Sequence, residues 1–147
     1  SAAMCEATVA AFEQADIAIL CAAVADFTLC TTADKKIKKQ PGQDGMVVEL
    51  KTTTDIAATL GASKQAHQRL VGFALETHDE QANALRKLQS KNLDMIVLNS
   101  LQDQGAGFGT DTNKVTLLFA AGTKKDLPLL LKQEVADVIV ESILQLI

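Results

Sequence analysis

Ile17-Ala18-Ile19-Leu20-Cys21-Ala22-Ala23-Val24-Ala25-Asp26-Phe27 passes from an apolar stretch into small residues and then a carboxylate. An apolar run of strand length that breaks into small side chains is the pattern of a buried parallel strand whose carboxyl end lets a ligand approach the backbone. A basic loop, Asp34-Lys35-Lys36-Ile37-Lys38-Lys39-Gln40, follows shortly after. Asp26 and Lys36 then bring opposite charges to one strand end, which is how α/β sheets hold nucleotides and other phosphorylated ligands.

Outward from that stretch, helical and strand patterns alternate. Upstream, Ser1 to Gln14 reads as a helix already under way, with Ala3, Met4, Ala7, Ala10 and Ala11 at helical spacing, so the chain is expected to be a domain without its first portion. Downstream, Gln40 to Gly45 is a Pro/Gly turn and Met46 to Lys51 alternates as a strand. Thr54 or Asp55 caps a helix predicted over Ile56 to Gln68, and the same first-turn amides suit an anion. Leu70 to Ala74 is the next strand, and Thr77-x-x-Glu80 is a capping box for a helix ending near Ser90. Then come a strand over Leu93 to Leu98, a glycine-rich loop over Asn99 to Asn113, and a strand over Lys114 to Phe119. A closing helix over Pro128 to Ile147 has its proline in the first turn. This order predicts one α/β domain, residues 1–147, with helices on both faces of a mostly parallel sheet.

Composition narrows the function. The 147 residues suffice for one core, but there is no Trp or Tyr, only five Phe, and a net charge of −4. Nucleic-acid binding through stacked bases or phosphate backbones is therefore not expected. Cys5, Cys21 and Cys30 form no C-x-x-C pair, so neither a disulfide framework nor a zinc site is indicated and a reduced cytoplasm is the expected setting. His67 and His78 lack ligand-spaced partners. No apolar run approaches the ~18 residues of a membrane span.

Each motif has a bland reading beside the functional one. Gly105-Ala106-Gly107-Phe108-Gly109 runs toward a strand and does not open a helix, so it reads as a tight loop and not a dinucleotide fingerprint. The lysine cluster is a solvated loop or a phosphate clamp, and Asp26 a turn cap or a ligand contact. Lys87 and Lys91, four apart, share a helix face and repel unless an anion or carboxylate lies between them. Phe73 at a strand end reads as core. No Ser/His/Asp or Cys/His constellation is present, so chemistry here would rest on positioning and electrostatics.

Together the segments resemble the phosphopantothenoylcysteine synthetase (phosphopantothenate-cysteine ligase) family, the domain found in bacterial bifunctional coenzyme A biosynthesis proteins. The resemblance rests on Cys21-Ala-Ala-Val-Ala-Asp26, Lys36-Ile-Lys-Lys39, Leu50-Lys51 with Asp55-Ile56, and Val71-Gly-Phe-Ala74 with Glu76-Thr77. Lys91-Asn-Leu-Asp94 and Gly107-Phe-Gly with Asp111-x-Asn113 complete the ordered set. Phe27 stands where the family often has Tyr, and Thr residues precede Asp55 where it usually has Asn-Pro.

The resemblance implies a Rossmann-like fold, a homodimer, and CTP-dependent joining of 4′-phosphopantothenate to L-cysteine through an acyl-cytidylate, with Mg2+. It implies nucleotide contacts from Ala22, Asp26, Lys36, Thr54, Asp55, Ile56, Ala57, Phe73, Lys87 and Lys91. Lys36 would be the catalytic flap lysine and Asp26 a carboxylate for magnesium. Fusion to a flavin-dependent phosphopantothenoylcysteine decarboxylase domain is a further possibility it raises. The dimer is expected to involve the strand Val115 to Phe119. Two other readings remain open: a nucleotide-binding and dimerising module inactive by itself, and a non-enzymatic Rossmann-like domain for another phosphorylated ligand.

Overall fold

The computed structural model describes residues 2–39, 41–100 and 109–147. In chain order the elements are α1 (Ala2–Phe12), β1 (Ile17–Leu20), β2 (Phe27–Leu29), β3 (Leu50–Thr52), α2 (Ile56–Ser63), β4 (Arg69–Glu76) and α3 (Glu80–Ser90). There follow β5 (Met95–Ser100), β6 (Thr112–Asn113), β7 (Val115–Phe119), β8 (Lys124–Asp126), β9 (Leu130–Leu131) and α4 (Lys132–Leu144). The main sheet has the order β1-β4-β5-β7-β8. β1, β4 and β5 are parallel, β7 runs against β5, and β8 against β7. Four of its five strands therefore share one direction, as expected from the alternating pattern.

Period-two alternation divides the sheet's side chains between two cores. On one face Leu70, Ala74, Ile96, Leu98 and Leu118 pack against Phe12 of α1, Ile56 and Leu60 of α2, and Ala84 and Leu88 of α3. On the other, Val71, Met95, Val97, Val115 and Leu117 pack against Val135, Ile139 and Ile143 of α4. Helices thus cover both faces.

Several expectations are corrected. α1 buries Phe12, with Cys5 and Val9 packed on the core, while Ala3, Met4, Ala7, Ala10 and Ala11 are exposed. Alanine is apolar on every side of this helix, so the larger Cys5, Val9 and Phe12 decide which stripe is buried. α2 ends at Ser63, because Lys64 turns extended and Gln68 is buried, donating from Nε2 to the carbonyls of Phe12 and Ala15. α3 begins at Glu80 with Asp79 as its N-cap, in a left-handed conformation, two residues later than a cap at Thr77 would place it. The closing helix starts at Lys132, because Leu130 and Leu131 pair with Asn113 and Thr112.

The expected strand over Met46 to Lys51 is only Leu50–Thr52, paired antiparallel with β2 in a separate two-stranded ribbon. The loop expected from Asn99 is shorter, because β5 continues to Ser100; most of the glycine-rich segment, 101–108, lies outside the described residues. Val115 and Leu117 are buried against this chain's own α4 core, and β8 pairs with β7. The strand expected to meet a partner is therefore interior, and the edge beyond it carries Lys124, Lys125 and Asp126, charges that discourage edge pairing.

Candidate functional site

The site grows from the carboxyl end of β1. Register pairs Leu20 with Gly72, so Cys21 and Ala22 leave the sheet beside the middle of β4, and Ala22 is exposed. The chain then reaches Asp26, which opens the β2–β3 ribbon. That ribbon is closed at its base by Thr53, whose amide donates to the Asp26 carbonyl at 2.9 Å and whose hydroxyl donates to the Ala25 carbonyl at 2.7 Å. Asp26, far from Thr54 in sequence, is thereby placed next to the approach to α2.

Asp55 then caps α2: its Oδ1 accepts from the Ala58 amide at 3.0 Å. Its Oδ2 meets the Lys91 ammonium at 2.9 Å. Partial burial acts to raise the Asp55 pKa, but the Ala58 amide, the Lys91 ammonium and the Ala57 amide outweigh it, and the net shift is downward from 3.8. The first turn of α2 was expected to receive an anion. Asp55 is that anion, so a ligand meets Thr54 to Ala57 beside an occupied cap. Ile56 is buried in the α1–α3 core, which leaves its backbone as the part able to face a ligand.

The two helix lysines are not a bare basic face. Lys87 donates to Glu76 Oε1 at 2.6 Å, at the end of β4, while Lys91 goes to Asp55. Each has its own carboxylate, which removes the repulsion their spacing implies. A further acceptor that the sequence did not single out is Asn99, at the end of β5, whose Oδ1 is buried with no hydrogen-bond partner among the described residues.

The predicted set is only partly gathered. Asp26, Thr54, Asp55, Ala57 and Lys91 come together around the start of α2, with Lys87 one turn before Lys91 on α3. Phe73 lies two residues from both Val71 and Leu75 in β4, so its side chain stands on the same α4 face, across the sheet from both lysines, and it is exposed where a core position was expected. Lys36 is exposed in irregular chain between β2 and β3. Asp26 is a single exposed carboxylate, and no cluster of three or more His, Cys, Asp or Glu suited to a metal occurs among the described residues. One carboxylate is nevertheless what magnesium commonly takes from a protein when phosphates supply further ligands.

Residues 1–147 match the family described as DNA/pantothenate metabolism flavoprotein C-terminal domain. The chain belongs to that family. As a member of it, the chain is 49% identical over 140 residues to the coenzyme A biosynthesis bifunctional protein CoaBC of Bacillus subtilis (strain 168), covering 95% of this chain and 34% of that protein. It is 56% identical over 147 residues to a cysteine/cysteine sulfinic acid decarboxylase of an unknown prokaryotic organism, covering 100% of this chain and 40% of that protein. The chain therefore spans well under half the length of these relatives. The crystal structure of the C-terminal domain of a CoaBC protein superposes with a TM-score of 0.76 at 36% identity, over 97% of this chain and 60% of that one. The family's description is one of pantothenate metabolism. No helix among the described residues is long and apolar enough to cross a membrane.

Proposed function

We propose that this chain carries the phosphopantothenate-cysteine ligase activity of its family, joining 4′-phosphopantothenate to L-cysteine at the expense of CTP. The observation that carries the reading is the Asp26–Thr53 backbone closure, which brings Asp26 to the approach of a helix whose cap, Asp55, holds the Lys91 ammonium. Such a site binds and aligns phosphates without offering a nucleophile of its own. The nucleophile is the carboxylate of phosphopantothenate, which attacks the α-phosphate of CTP with departure of pyrophosphate; the cysteine amine then displaces CMP and loses a proton. Lys87 and Lys91 offer charge to the triphosphate, Ala22, Thr54 and Ala57 offer backbone, and Lys36 stabilises charge that develops at the reacting phosphate. Magnesium, with Asp26 as its protein carboxylate, neutralises phosphate charge when bound.

We place the homodimer at the β2–β3 ribbon in place of β7. Phe27, Leu29 and Leu50 of the ribbon, and Ile37, Met46, Val47 and Val48 of the connection between its strands, are all exposed, an apolar surface that a symmetric copy would cover. The similarity to a decarboxylase supports a second reading, in which this domain binds and dimerises while another part of the protein does the chemistry. The cytoplasm is the proposed setting, and a fused decarboxylase domain fits the greater length of the bifunctional relatives.

Pyrophosphate release from CTP, dependent on phosphopantothenate and followed by CMP release on adding cysteine, tests the reading. Lys36→Ala should then lower kcat about a hundredfold with little change in KM for CTP, because its contact forms in the transition state. CTP binding without pyrophosphate release supports the binding module. Stronger thermal protection by ATP than by CTP contradicts the nucleotide assignment.

A further inference from the structure

Lys91 is the C-cap residue of α3, yet its ammonium lies at the opposite end of α2, on Asp55. Two features hold it there. Gly61 of α2 is buried against the Lys91 carbonyl, and a Cβ at that position would collide with this backbone oxygen. Asn92 follows with φ of 50°, and its side-chain Nδ2 donates to the Gly61 carbonyl at 2.8 Å. The Asn92 carbonyl accepts from Lys64 Nζ, also at 2.8 Å, so this junction is tied to the end of α2 from both sides. Gly61 lies six residues beyond Asp55, about 9 Å along a helix. A lysine stem spans that distance only if its backbone starts close against α2.

We infer that Gly61 and Asn92 form a clasp that positions Lys91 for the ligand's phosphates, so that the start of α2 and the end of α3 act as one binding unit. The inference deepens the nucleotide reading and rests on it for the identity of the ligand. Neither residue touches the ligand; both act through Lys91. A purely structural clasp would lower stability and leave Lys91 independent of it.

Gly61→Ala drives a Cβ into the Lys91 carbonyl and should unseat α2 from α3, so Asn92→Gly is the decisive variant: glycine accepts the left-handed backbone and removes the amide bond to Gly61. Titration of the 147-residue chain with CTP should show Lys91→Ala weakening binding about tenfold, as for one lost charged contact. Asn92→Gly should reproduce most of that loss, and the double variant should lose no more than Lys91→Ala alone. Independent, additive losses would overturn the clasp. If the unmodified chain fails to bind CTP, the nucleotide reading falls, and NMR titration of the Asp55 carboxyl decides the clasp separately. Lys91 is the charged group facing Asp55, so Asn92→Gly should raise the Asp55 midpoint as Lys91→Ala does. An unchanged midpoint in Asn92→Gly overturns the inference.

Discussion

The pairs β2–β3 and β4–β5 are both ladders of hydrogen-bonded strands with apolar side chains, yet they have opposite fates. Every residue of Phe27–Leu29 and Leu50–Thr52 is exposed, whereas Met95, Ile96, Val97 and Leu98 are all buried. β4–β5 has helices on both faces, while the ribbon leaves the sheet between β1 and α2 with every one of its strand residues exposed. Apolar content does not decide burial by itself; the number of elements that topology lays against a strand does. The ribbon is therefore free to spend its apolar surface on a partner, and the sheet is not.

The sharpest break of this comparison is a charge in the interior. Leu117→Asp, at a fully buried position, should abolish cooperative unfolding in circular dichroism and not yield a folded monomer. Met95→Ala should leave the fold but cost roughly 2–5 kcal/mol in chemical denaturation, from lost burial and a cavity.

Asp55→Ala, between the two regions, should cost about 1 kcal/mol through the lost helix cap. Because the folded carboxyl is shifted below 3.8, its contribution is present above that value and is lost as pH falls through the lower folded one. Acid titration of stability should therefore be shallower in Asp55→Ala than in the unmodified chain.

The smallest effect on the protomer is expected in the connection that leads into β3. Val47→Asp, at a side chain 93% exposed, should alter protomer stability by no more than about 0.5 kcal/mol. It should nonetheless convert the proposed dimer to monomer in light scattering. A large loss of protomer stability would show that the ribbon packs on its own chain after all.

Local signals in the sequence determined much of this protein. The apolar runs beginning at Ile17, over Leu70–Ala74 and over Leu93–Leu98 became parallel strands, the last of them starting at Met95, because a run of that length has few other ways to bury itself. Asp55 became the cap of α2, because its oxygen meets an amide three residues away. Tertiary structure alone decided which carboxylate each lysine met, that Phe73 and the α2 lysine partner stand on opposite faces, that β8 covers β7, and that Gly61 admits the Lys91 backbone. The reason is range. Strand runs and caps are settled among neighbours in the chain, whereas Lys91 finds Asp55 only after helix crossing and strand order have brought distant segments together. Side-chain pattern carries no record of those distances until the sheet has formed.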